Sequence, residues 1–191
     1  MKTLLYGGSF DPPHNGHLNN LRAAAACVRP DRVVVMPAGL SPFKQHTAAP
    51  AALRLEMCGC FRQLAQGEEA VAPQLEVSSW EMLAAQDPEG ELYLAVGSDM
   101  LLIFDGWHRW QDILRLAHLV VTSRNAGDAP ELCAKARQLD PAGQRILFAP
   151  VTALPMASSA LRQRLAAGED CAEELPEAVR AVIRREHLYQ T

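Results

Sequence analysis

The stretch Thr3-Leu4-Leu5-Tyr6-Gly7-Gly8-Ser9-Phe10-Asp11-Pro12-Pro13-His14-Asn15-Gly16-His17 reads as a short apolar strand, a turn carrying two glycines, and the opening of a helix. Leu18, Leu21, Ala25 and Val28 then recur at helical spacing, and Arg32-Val33-Val34-Val35-Met36 is a second β-rich run. Strand, helix and strand so close together make a βαβ unit, whose two strands pair in parallel.

Working outward, the same alternation continues. Leu53, Met57, Cys60, Phe61 and Leu64 predict one amphipathic helix after a Pro- and Gly-punctuated loop from Pro37 to Pro50, and Leu75 to Val77 is a possible short strand. Leu92 to Val96 reads as a buried strand. Trp107, Trp110, Ile113, Leu114 and Ala117 predict a helix leading into a strand at His118 to Thr122. A weaker helix (Leu132 to Leu139), a strand (Arg145 to Phe148) and two closing helices (Ser159 to Ala167, and Pro176 to His187 with proline near its start) complete the chain. Continuous apolar strands alternating with helices predict an α/β fold, a Rossmann-like doubly wound parallel sheet with helices on both faces. No repeat, low-complexity segment or linker interrupts it, so residues 1–191 are expected to form a single domain, with C-terminal helices from about residue 158.

A composition of 49% hydrophobic and 21% charged residues excludes a long disordered protein. Eighteen basic against twenty-two acidic residues leave a net charge of −4, so nothing drives bulk adsorption to nucleic acid or to an anionic membrane. An anionic ligand must be gathered locally. The five cysteines are odd in number and scattered without a CxxC pair, which predicts reduced, mostly buried thiols rather than a disulfide framework or a zinc ribbon. Met1-Lys2 runs straight into the first strand and no apolar stretch approaches a membrane span, so a cytoplasmic protein is expected.

Ligands of such sheets bind at the carboxyl ends of the strands, which points to the turn from Gly7 to His17. Two glycines let backbone approach a ligand closely, and Gly16-His17 opens a helix whose N–H groups and dipole favour an anion. The spacing is neither GxGxxG nor a Walker A loop. His14 and His17, three positions apart, can offer N–H donors to one phosphate. For an isolated histidine the plain reading is a packed or capping side chain, but two flanking a glycine in this turn are harder to dismiss; a zinc HxxH pair is a second alternative that lacks a third ligand with matching spacing.

GGSFDPPHNGH resembles the signature of the HxGH nucleotidyltransferases, and Pro13-His14 is most similar to the nicotinate-mononucleotide adenylyltransferase branch. Val96-Gly97-Ser98-Asp99-Met100-Leu101 through Trp107 is similar to the family's Gly-x-Asp…Trp segment, and Ser123-Arg124-Asn125-Ala126-Gly127 to its Arg-Pro-Gly turn. Met156-Ala157-Ser158-Ser159-Ala160-Leu161-Arg162 resembles the Ile-Ser-Ser-Thr-x-x-Arg motif, Ser41-Pro42-Phe43-Lys44 the Pro-Pro-His-Lys loop, and Leu175-Pro176 to Leu188-Tyr189 the closing helix.

The resemblance implies attack of a mononucleotide 5′-phosphate on the α-phosphorus of ATP, with release of pyrophosphate and no covalent enzyme intermediate. Such chemistry asks the protein for alignment and charge neutralisation. His14, His17, Lys44 and Arg162 are the implied catalytic groups, with the backbone of Gly7, Gly8, Ser9 and Phe10 admitting the nucleotide. Ser158 and Ser159 would cap a helix while presenting N–H donors to the triphosphate, although an ordinary N-cap explains them as well. Gly97, Asp99, Trp107 and Arg124 are implied nucleotide contacts, Trp107 by stacking on the pyridine ring. Plain readings stand beside these: a solvated charge for Lys44 and Arg162, a helix N-cap for Asp99, and a shared core face for Trp107 and Trp110. Asp11 is expected to organise the turn by accepting backbone N–H groups. Mg²⁺ would ride mainly on the ATP phosphates, without dedicated protein ligands. ATP and a pyridine mononucleotide are the implied partners.

Two departures from the family pattern stand out. Phe43 replaces the histidine before Lys44, and the Ser-Tyr-Thr…Asp-Thr-Leu segment, whose backbone helps recognise the pyridine substituent, is missing from the short stretch Ser78 to Gly90. That stretch has room for one short helix. Nicotinamide mononucleotide or phosphopantetheine as acceptor, or a nucleotide-binding module with weakened turnover, are the alternatives this leaves.

Overall fold

The computed structural model of the chain describes residues 1–39, 48–66, 70–72, 74–77, 90–123 and 127–190. Six parallel strands, β1 (Lys2–Gly8), β2 (Arg32–Pro37), β3 (Gln74–Val77), β4 (Glu91–Gly97), β5 (Ala117–Thr122) and β6 (Ile146–Ala149), form one sheet in the order β3-β2-β1-β4-β5-β6. This is the doubly wound order, in which strand succession reverses between β1 and β4 and opens a crevice at their carboxyl ends.

Side-chain alternation along the strands divides the core in two. Tyr93, Ala95 and Val120 face a cluster built with α1 (Asn15–Val28), the 3₁₀ turn Cys58–Ala65, α6 (Ser158–Ala166) and α7 (Glu177–Arg185). Val96, Leu119, Val121 and Ile146 face the other way, onto α3 (Ser98–Leu102), α4 (Trp110–Leu116) and α5 (Ala129–Leu139). Helices cover both faces, as the continuous apolar strands required. Among the described residues no helix is long and apolar enough to cross a membrane. All five cysteines are free, with Cys58, Cys60 and Cys171 buried, Cys133 half-buried and Cys27 exposed.

Several element boundaries differ from the sequence reading. The helix expected from Leu53 to Leu64 is α2 (Ala51–Met57) followed directly by the 3₁₀ turn, so its apolar residues meet the core through two geometries. The helix expected from Trp107 starts only at Trp110: Arg109, with φ at 55°, is left-handed and cannot continue a helix upstream. Trp107 and Trp110 therefore do not share a helix face. Ala117 opens β5 instead of closing that helix, β6 starts one residue after Arg145, and the short α3 was not anticipated. The closing helices run Ser158–Ala166 and Glu177–Arg185, with Pro176 as the N-cap of the second.

Candidate active site

The turn after β1 is built by packing. Phe10 takes a left-handed backbone, φ 45°, a conformation costly for a bulky side chain, and is 1% exposed. Its ring lies against Tyr6, Phe61 and His17 with centroids 5.4, 5.3 and 5.1 Å away. Gly8 sits under that ring, where a Cβ would stand 2.8 Å from a ring carbon, whereas a Cβ on Gly7 would meet open space. The two glycines thus serve different ends: Gly8 accommodates Phe10, and Gly7 leaves backbone accessible.

His14 is the N-cap residue of α1 and is buried, and its carbonyl accepts from the N–H of His17 at 2.9 Å. The His14 N–H donates to His17 Nδ1 at 3.2 Å, and the two imidazoles stack with centroids 3.7 Å apart. A ring nitrogen that accepts holds no proton, so His17 in this arrangement is the neutral tautomer that carries its hydrogen on Nε2. Gly16 lies between them, where a Cβ would stand 3.0 Å from the His14 ring and would have to displace it slightly. A recess lined by His14, Gly16, His17, Asn20, Ser123 and Met156, among others, opens at this point.

α6 docks on the same turn. Ser158 Oγ donates to the Pro12 carbonyl at 3.0 Å and Arg162 donates to the Asp11 carbonyl at 2.7 Å, across the Asp11–Pro12 cis peptide. The expectation that Ser158 or Ser159 caps this helix is not met: the N-cap is Ala157, and Ser159 is exposed. Asp11 does organise the turn, but with distant partners. Its carboxylate accepts from the N–H groups of Ala48 (2.8 Å) and Ala49 (3.1 Å) and from the Tyr189 hydroxyl (2.8 Å). Burial, then the neighbouring Asp11 carboxylate, push the Tyr189 phenol well above the usual tyrosine range, with Arg162 and Arg54 acting in the opposite sense.

Gly97 ends β4 beside this turn and is the N-cap of α3; Asp99 is therefore the second helical residue and not the cap. Trp107 follows the 3₁₀ turn Phe104–Gly106 on extended backbone, half-buried, with its ring 5.1 Å from that of Phe104. Lys135 on α5 bonds Asp105 at 2.7 Å and ties this turn down. Lys44 and Arg124, and residues 78–89 where the shortened segment falls, lie outside the described residues. Among the described residues no group of three or more His, Cys, Asp or Glu is placed to hold a metal ion, and the two histidines stack rather than converge on one point.

Arg54 escaped the sequence reading. It is wholly buried, and four carbonyls, those of Ser9, Ala38, Gly39 and Ala49, accept from its guanidinium. The one signal in the sequence is a cation on α2 between Leu53 and Leu55.

A parallel sheet with this strand order and a His-Asn-Gly-His helix start at its switch point is a nucleotide-binding α/β domain. Residues 5–164 match a family model described as Cytidylyltransferase-like. A protein of Chloroherpeton thalassium named probable nicotinate-nucleotide adenylyltransferase is 32% identical over 99% of this chain and 98% of its own length. A Laribacter hongkongensis protein of the same name is 36% identical over 98% of this chain and 94% of its own. In fold, the Plasmodium falciparum nicotinic acid mononucleotide adenylyltransferase complexed with NaAD matches with a TM-score of 0.77 at 15% identity, covering 98% of this chain and 97% of that one. The chain belongs to the nicotinate-nucleotide adenylyltransferases of the cytidylyltransferase-like family.

Proposed function

We propose that the chain transfers the adenylyl group of ATP to the 5′-phosphate of nicotinate mononucleotide. An oxygen of that phosphate attacks the α-phosphorus, the bond to the β-phosphate oxygen breaks, and pyrophosphate leaves with nicotinate adenine dinucleotide as product. The observation that carries this reading is the pair of stacked imidazoles at the start of α1, at the carboxyl end of β1, in a chain whose relatives bear that name over their full length. His17 Nε2–H donates to phosphate oxygens as charge shifts onto the leaving pyrophosphate, and His14 supports it through the N–H that fixes the ring. Arg162 and the N–H groups at the start of α6, with Lys44, complete the phosphate contacts. Gly7, Gly8, Ser9 and Phe10 supply the backbone beside them. Gly97, Asp99, Trp107 and Arg124 form the nucleotide side, with Trp107 as the stacking face for the pyridine. Mg²⁺ is carried on the triphosphate oxygens, where it offsets their charge. Free thiols at all five cysteines suit a reducing cytoplasm.

A coupled pyrophosphate-release assay tests the reading with nicotinate mononucleotide, nicotinamide mononucleotide and phosphopantetheine as acceptors. Turnover is expected with the first, at a narrower margin over the amide than a family member carrying the Tyr-Thr segment shows. Turnover only with phosphopantetheine, or ATP binding with no pyrophosphate from any acceptor, rejects it.

A further inference from the structure

We propose that Arg54 is a positioning residue of the phosphate site: its buried guanidinium grips the Ser9 carbonyl together with both flanks of the segment that follows β2, and so sets the backbone on which ATP rests. This rests on the reading that the turn after β1 receives phosphates.

Arg54 Nε donates to the Ala49 carbonyl at 3.2 Å, Nη1 to those of Ser9 (2.8 Å) and Ala38 (2.6 Å), and Nη2 to that of Gly39 (2.7 Å). These acceptors come from three stretches of chain, after β1, after β2 and before α2. A planar fork with five N–H donors can reach all four at once, and a lysine ammonium on its flexible stem cannot. The neighbouring contacts are of the same kind: Ala38 N–H donates to the Gly8 carbonyl at 2.8 Å, and Ala48 and Ala49 N–H donate to Asp11. Gly8, Ser9 and Asp11 are therefore each tied to the flanks of residues 40–47, the stretch in which Lys44 falls, and Arg54 is the hub of the ties.

Carbonyl and N–H point in opposite directions across a trans peptide. Drawing the Ser9 carbonyl inward onto Arg54 turns the Phe10 N–H away from the core, and the Ala38 carbonyl does the same for the Gly39 N–H. The charge matters as well. The four acceptors are neutral carbonyls, and the charge that the guanidinium offsets is that of the turn's own buried Asp11 carboxylate, which accepts from the Ala49 N–H.

The test is Arg54→Lys, which keeps the charge and loses the fork. At a temperature well below its own melting point, ATP affinity measured by calorimetry is expected to fall by about tenfold or more, the scale of a small misplacement of positioned groups, with kcat lowered and KM for nicotinate mononucleotide within about twofold of wild type. A lower Tm with unchanged ATP affinity, or equal losses on both substrates, overturns the proposal and leaves Arg54 a core residue. Should Arg54→Lys fail to fold, ¹⁵N-arginine-labelled wild type decides. The Arg54 Nε–H, wholly buried on the Ala49 carbonyl, is expected to be the guanidinium proton slowest to exchange, and its signal is expected to move on saturation with a non-hydrolysable ATP analogue. A signal unmoved while calorimetry records binding overturns the proposal. ATP binding is read apart from transfer, so a wild type that binds ATP and transfers to no pyridine nucleotide refutes the proposed activity and leaves the Arg54 result standing.

Discussion

At the scale of single residues the site depends on donors held in place before substrate arrives. His17 accepts the His14 N–H through Nδ1, and on the proposed function its Nε2–H is the donor offered to phosphate. His17→Ala is expected to lower kcat by about 10²–10³, the effect of losing one preorganised donor, with the circular dichroism spectrum unchanged. A folded variant with near wild-type turnover would remove His17 from the mechanism. One Nη donor of Arg162 is spent on the Asp11 carbonyl, and on the proposed function the rest of its fork faces phosphates. Arg162→Lys therefore should weaken ATP binding several-fold through both losses; equal ATP affinity in a titration would make it a tether of α6 only. The meeting of His14 and His17 at the start of α1 was legible from the sequence because it follows from local spacing. Arg54 was not, since a lone arginine on a helix reads as solvated until the carbonyls that converge on it are known.

At the scale of elements the proposed acceptor side turns on how Trp107 is presented. Its place outside α4 follows from the left-handed Arg109, whose side chain pairs with Asp112 at 2.7 Å. Those two residues are three apart on the helix start, where an acidic side chain also suits the helix dipole. Apolar spacing alone had extended the helix back to Trp107, because periodicity reports a buried face and not the φ that ends it. Freed from the helix, the indole leans on Phe104 and belongs to a turn that Lys135 fastens to α5. Trp107→Ala is expected to raise KM for nicotinate and nicotinamide mononucleotides by similar factors, about 1–3 kcal/mol by analogy with base–aromatic stacking, and to leave KM for ATP nearly unchanged. If the substitution weakens ATP and neither pyridine nucleotide, Trp107 is not the stacking face. The strands, by contrast, were legible to within a residue or two at their ends, because the runs at the middle of the sheet, such as Val33 to Val35 and Leu119 to Val121, are buried on both faces and apolar throughout.

At the scale of the whole molecule the last turn of the chain is bonded to the first. Tyr189 donates its hydroxyl to Asp11 Oδ1 across 178 positions of sequence, a contact no local pattern could announce. Tyr189→Phe keeps the ring and deletes one donor to a buried carboxylate, a loss of about 1.5–3 kcal/mol for a hydrogen bond to a charged group. The size of that loss should depend on pH. Burial and the Asp11 charge hold the folded phenol above the value of 10.0 at which it ionises in the unfolded chain. The stabilisation is thus fully present below about pH 10 and is lost as pH rises past that value, because only the unfolded state gains by releasing the proton. The buried thiols of Cys58 and of Cys60, the latter pushed up to about 12 by burial, destabilise wild type and variant alike on the alkaline side, so the difference between the two proteins isolates Tyr189. Melting curves of wild type and Tyr189→Phe from pH 7 to 11 should show a gap in Tm that is constant up to about pH 9 and narrows beyond 10. A gap that holds its width to pH 11 would mean that the hydroxyl is not bonded to Asp11, and that residues 186–190 are held to the turn after β1 by packing alone.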